Sequence, residues 1–299
     1  MSAPNVTVLY DAPGPRARRR SLIGSVVVTV VILVLAAVVV VRLADQRQLD
    51  AELWAPYVDP TSENFEAVWT LLWEGLQATL TAAVLAIVLS LAIGTLLAVA
   101  RMMLGRWGRL PLIGLIELLR GLPVVVSIYF AWRVLPELGV NVGPLPGDDG
   151  LWYLIVGLTA YNMVIIAEIV RAGVLSLPSG QREAGLALGM TPWQTMREIQ
   201  LPQAFRTMLP ALISQLVVIL KDTSLAAVLG LYLELLRRGQ LVATRLDNPI
   251  QTFFVVGLIF VVLNFVLSQV AVWVERRTSR RTVGKAAAAT AESEASTGA

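Results

Sequence analysis

Four stretches of the chain carry no charged side chain for long enough to cross a bilayer: residues 21–41, 75–100, 150–167 and 248–274. Roughly 20 apolar residues cover the ~30 Å hydrocarbon core as a helix, so each can span, the third with help from its flanks. Two further segments, 110–132 and 207–229, reach that length only by admitting charges, Glu117 and Arg120 in the first and Lys221 and Asp222 in the second. The pattern predicts an all-α, multi-pass membrane protein with about six transmembrane helices. The basic cluster Arg16, Arg18, Arg19 and Arg20 leads directly into the first run. A secretory signal peptide is the rival reading there, but its apolar core would be about 7–15 residues with a small-residue cleavage site, and this run continues to Arg42. The expected organisation is a basic tail over 1–21, an extra amino-terminal transmembrane helix over 22–42 and an extracytoplasmic connector over 43–64. The main transmembrane domain follows over 65–277. A low-complexity tail over 278–299, rich in Ala, Ser, Thr and Glu, is expected to be disordered.

Residues 183–202, EAGLALGMTPWQTMREIQLP, lie between two of these spans yet are polar and helix-patterned. Ser179 is placed to cap a short helix running through Leu188, Gly189 supplies a left-handed stop, and Thr191-Pro192-Trp193-Gln194 restarts the helix. Thr191 and Gln194 have capping-box spacing, with Pro192 at the first helical position. The spacing predicts two short helices joined at a glycine, an exposed unit that a partner protein can grip.

The order Glu183, Ala184, Gly189, Ile199, Leu201 and Pro202 resembles the cytoplasmic loop of bacterial ABC importer permeases of type I. Similarity continues through Ala167-Glu168-Ile169-Val170-Arg171-Ala172-Gly173, Leu201-Pro202-Gln203-Ala204 and Lys221-Asp222-Thr223-Ser224-Leu225. Together these resemble the polar amino acid subfamily, from about Gly75 to Val274. Gly185 departs from the pattern, which more often has a second alanine there. The amino-terminal Val8 to Pro15 segment and the extra helix resemble actinobacterial glutamate permeases. The resemblance implies a five-helix permease core, a cytosolic ABC ATPase dimer docking on the loop and a solute-binding protein outside. It also implies a second permease subunit, either a paralogue or a second copy. Glutamate is the first solute it implies, with glutamine, arginine or histidine as alternatives.

Composition narrows the chemistry. The chain is 56% hydrophobic and 15% charged, and it has neither cysteine nor histidine. Disulfides, thiolate nucleophiles, imidazole bases and the usual zinc or haem ligands are excluded. Its two lysines, Lys221 and Lys285, complete no phosphate loop, so the chain is not its own ATPase. No catalytic residue, metal or cofactor is expected, and no nucleic acid partner. With the amino terminus in the cytosol, six spans return the carboxyl terminus there. Sixteen arginines and lysines then fall in cytosolic segments against six outside, the bias expected of a bacterial plasma-membrane protein. The loop at 183–202 lies on the cytosolic side in that arrangement.

Charges inside spans cost roughly 2.5–3.5 kcal/mol each at the bilayer centre on insertion scales, so Lys221 and Asp222 require an explanation. One is a broken helix, with Lys221 ending one half and Asp222 or Thr223 capping the next. The break is either structural or part of the solute path. Tyr161, Asn162, Lys221, Asp222, Thr223 and Ser224 are the candidate pathway residues. Glu168 and Arg171, three residues apart, read as a local ion pair. Arg120-Gly121-Leu122-Pro123 reads as a packing kink or a gate, and Ser90 with Gly94 as close helix packing. A secondary transporter would need inverted repeats and a carboxylate set within the spans. An intramembrane hydrolase would need a nucleophile with its base. The sequence offers neither.

Overall fold

The computed structural model describes residues 14–140, 142–270 and 272–273. The readings of residues 1–13 and of the tail over 278–299 fall outside the described residues. The chain divides into two units after Glu63. The first holds α1 (Pro15–Asp45) and α2 (Ala51–Val58). Pro15 occupies the first helical position of α1, where its missing N–H is no loss. The helix is 31 residues long, so it extends past both ends of the 22–42 run, and none of its residues is buried. Arg47, at φ +57°, turns the chain toward α2. The connector is thus partly helical.

The second unit is also helical: α3 (Phe65–Met103), α4 (Arg106–Gly121), α5 (Val124–Glu137), α6 (Asp149–Leu175), α7 (Ser179–Ala187), α8 (Pro192–Gln194), a π-helical turn over Thr195–Gln200, α9 (Leu201–Asp222), α10 (Leu225–Leu229), α11 (Leu235–Leu246) and α12 (Pro249–Val270). No strand occurs among the described residues. Among the described residues, five helical runs are long and apolar enough to cross a membrane as single helices. The expected span at 110–132 is different: α4 and α5 meet at a bend of 106°. Leu122 precedes a proline and is driven out of the α region to φ −85°, ψ 138°. Pro123 then caps α5, so this is a break between two helices rather than a kink in one. Glu117 and Arg120 pair at 3.1 Å, which explains both charges locally.

α6 is the central helix. Leu154, Ile155, Leu158 and Ile166 on it are fully buried against Ala82, Ala86 and Ala98 of α3, Ile128 of α5 and Ile219 of α9. Small residues set the approach. A Cβ on Gly94 of α3 would lie 2.6 Å from the Met163 carbonyl oxygen, and one on Gly157 of α6 would lie 2.4 Å from the Ile128 Cα. Ser90 is also buried in that seam. α3 and α6 run parallel, since Gly94 meets Met163 and Ile166 while Arg101 further along meets Glu168. α9 runs antiparallel to α6, with Gly173 on Ala204 and Met208, and Asn162 on Gln215.

Candidate functional site

The loop over residues 183–202 is built by local backbone chemistry. α7 starts at Ser179 with extended Pro178 as its cap residue, so Ser179 is the first helical residue and does not cap. Proline fixes φ and leaves the chain entering the helix at that point. Gly189 holds φ +82°. Its N–H bonds the Leu186 carbonyl at 3.0 Å and the Met190 N–H bonds the Gly185 carbonyl at 3.1 Å, the paired bonds of a Schellman stop. The capping box then forms as expected: Thr191 Oγ1 accepts from the Gln194 N–H at 3.2 Å, and Gln194 Oε1 accepts from the Thr191 N–H at 2.8 Å.

The second helix is not short. α8 passes through the π turn into α9 without interruption. Pro202 lacks the N–H that would close the ring to the Glu198 carbonyl, and the π turn sits immediately before it. The turn folds α7 back onto this run. Gly185 is buried against Thr195 and Ile199, where an alanine Cβ would lie 3.0 Å from both side chains. The departure from alanine at 185 is therefore matched to this close contact. Leu201 packs with Val99, Val174, Met196 and Ala204. Gln203 clamps the hairpin, donating to the Ile199 carbonyl at 2.9 Å and to Gln181 Oε1 at 3.3 Å.

The residues singled out in this loop therefore divide. Gly185, Ile199 and Leu201 face inward, Gly189 sets the turn, and Glu183, Ala184 and Pro202 are exposed. The outer surface also carries Leu188, 83% exposed, and Trp193, 49% exposed. The sequence marks Leu188 and Trp193 only as parts of the two helices; their exposure is visible only in the fold.

The pathway candidates separate in the same way. Asn162 is fully buried; its amide donates to the Leu158 carbonyl at 2.8 Å and its Oδ1 accepts from Gln215 at 2.6 Å. Those bonds join α6 to α9. Tyr161 beside it is partly exposed. α9 ends at Asp222, and the two-residue turn Thr223-Ser224 leads into α10, so the α-helical hydrogen bonding breaks where the charges predicted, although both residues keep right-handed helical φ/ψ and Pro192–Leu229 continues as one helical run. It is not capped as predicted, since Thr223 Oγ1 donates backward to the Leu220 carbonyl and Ser224 Oγ to the Lys221 carbonyl. Both hydroxyls satisfy carbonyls of the preceding turn in preference to the N–H groups ahead. Lys221 and Ser224 line a cavity of about 360 Å3 with Phe260 and Asn264 of α12. Asn264 donates to the Phe260 carbonyl at 2.6 Å, and its buried Oδ1 has no partner. Nothing in the local sequence marks Asn264, because α12 meets the break only in the folded chain.

Glu168 and Arg171 pair at 2.8 Å as their spacing predicts, and Arg101 of α3 reaches the same carboxylate. Sequence separation hid the third member.

Residues 90–280 match the family described as binding-protein-dependent transport system inner membrane components. The chain belongs to that family. It is 40% identical over 236 residues to the glutamate transport system permease protein GluD of Corynebacterium glutamicum, covering 79% of this chain and 83% of that one. It is 36% identical to the glutamine transport system permease protein GlnP of Escherichia coli, covering 72% of this chain and 97% of that one. Among solved structures, an amino acid ABC transporter crystallised with histidines shares 27% identity, covers 71% of this chain and 96% of its own, and superposes with a TM-score of 0.63.

Proposed function

We propose that this chain is the membrane-spanning subunit of an ATP-driven importer for a polar amino acid, with glutamate as the first candidate. The observation that carries the reading is the docking hairpin: a helix, a left-handed glycine and a capping box present Glu183, Ala184, Leu188 and Trp193 on one exposed unit. It has the form expected of a knob for the groove of an ATPase. On this reading the hairpin faces the cytosol, as do both termini, and the Pro136 to Gly150 loop faces outward. An ABC ATPase dimer binds inside, a solute-binding protein outside, and a second permease subunit completes the pore. The membrane subunit itself has no catalytic role.

The solute path is assigned to the break after α9. Lys221, Ser224 and the unpartnered Asn264 carbonyl offer a cation and hydrogen-bonding groups to a zwitterion at membrane depth. Asp222, Thr223, Tyr161 and Asn162 support that surface, Asn162 by holding α6 to α9. Glutamate is favoured over glutamine by the amino-terminal segment and by the 40% relative.

The test is uptake into proteoliposomes containing the permease and its ATPase, with labelled glutamate and glutamine and solute-loaded binding protein. ATP-dependent glutamate uptake is expected, lowered by Lys221→Ala and Asp222→Ala with ATPase assembly intact. Loss of assembly in those variants would assign the break a structural role. Uptake without ATP would place the chain among secondary transporters.

A further inference from the structure

Against the inner side of the docking hairpin lies a cavity of about 640 Å3, walled by the ends of α3 and α6, the first turns of α4, and α7. Four arginines line it: Arg101, Arg109, Arg171 and Arg182. They are drawn from four different helices. Two carboxylates answer them, Glu168 between Arg101 and Arg171 and Glu183 on α7. The cavity therefore holds a surplus of two positive charges. Arg109 and Arg182 are exposed and have no ion-pair partner among the described residues.

Apart from Ser179 and Gln200, the rest of the lining is apolar. Met103 and Leu175 expose 38% and 65% of their surface, and Ile113 stands with them. A free inorganic anion has no use for that wall, and the volume exceeds what it needs. Trp107, 85% exposed, precedes Arg109 on α4, the pairing of aromatic and basic residues found at a membrane boundary. Basic pockets at the cytosolic ends of transmembrane helices bind anionic headgroups, and guanidinium forks match phosphate oxygens.

We propose that this cavity holds an anionic phospholipid of the cytosolic leaflet. Its phosphate lies among Arg109, Arg182 and Arg171, and its glycerol and upper acyl chain lie on Met103, Ile113 and Leu175. The lipid would tie the docking hairpin to the ends of α3 and α6, so leaflet composition would set how firmly the hairpin is held. The inference rests on the orientation given above, but lipid retention is read without any transport measurement.

The test is native mass spectrometry of the purified full-length chain, titrated with phosphatidylglycerol or phosphatidylcholine. Phosphatidylglycerol should be retained selectively. Each arginine in contact with the headgroup is worth about fivefold in binding to anionic lipid, so the Arg109→Gln/Arg182→Gln double variant should bind about twenty-five-fold more weakly. Arg106→Gln/Arg197→Gln, which removes exposed arginines outside the cavity, should bind within about twofold of wild type. Equal losses in the two double variants would mean diffuse attraction and overturn the site. Equal retention of phosphatidylcholine, or displacement of the lipid by glycerol phosphate at millimolar concentration, would overturn a lipid occupant. Displacement by the ATPase would make the cavity part of the protein interface instead. Selective retention in a chain that fails to import amino acids would leave the lipid site standing and remove the transport reading alone.

Discussion

Gly189 has open space around the position a Cβ would take, so its requirement for glycine is entirely one of backbone, at φ +82°. A residue with a side chain adopts that conformation at roughly 1–2 kcal/mol, more if β-branched. Gly189→Val should insert normally, import little, and leave ATP hydrolysis unresponsive to loaded binding protein, with Glu183→Ala milder. Wild-type stimulation in Gly189→Val would show that the hairpin is not the coupling element. Glu234 makes a different residue-scale prediction. It caps α11, accepting from the Leu236 and Arg237 N–H groups at 2.9 and 2.7 Å, and is fully buried. Burial pushes its carboxyl up from 4.5 to about 7, against the pull of those N–H groups and of Thr79. Because the folded value is the higher one, this group's stabilisation is complete below its ordinary value and is lost as pH rises through about 7. The thermal midpoint of wild type in detergent should fall between pH 5 and 8. In Glu234→Gln that portion of the slope should vanish; an unchanged slope would assign it to other groups.

Between elements, glycines decide how near the helices come. A methyl carbon added at Gly94 would stand 2.6 Å from an opposing backbone atom and one at Gly157 2.4 Å, distances that no side chain tolerates without moving a helix. Overpacking of this kind costs about 1–3 kcal/mol or more. Gly94→Leu and Gly157→Val should each lower the thermal midpoint by several degrees, whereas Gly257→Ala on α12, with open space around it, should leave it unchanged. Equal midpoints in all three variants would refute the close-packed seam. The alternation of small and large residues along α3 and α6 announces a buried face. Which partner fills each notch is settled by packing across the bundle.

For the whole molecule the prediction concerns topology. The chain has no cysteine, so a single engineered one reports alone. Cysteines at Asp59 and Asp148 should react with an impermeant reagent added to intact cells, and one at Gln194 only after permeabilisation. Labelling of Gln194 in intact cells would reverse the orientation and detach the hairpin from any cytosolic ATPase.

Sequence alone determined the helical class, the long apolar helices apart from the broken 110–132 segment, the Gly189 stop, the Thr191–Gln194 box and the Glu168–Arg171 pair. Each depends on hydrophobic run length or on groups within four residues, and such interactions are encoded where they act. Ser179 as a cap failed because Pro178 fixes the entry to α7, a competition between neighbours that spacing does not rank. The 106° break between α4 and α5, the third charge on Glu168, the Asn162–Gln215 bridge and the cavity shared by Lys221 and Asn264 were decided by the tertiary structure. These join residues far apart along the chain, and in hydrocarbon a buried polar group must find its partner on whichever helix packs beside it.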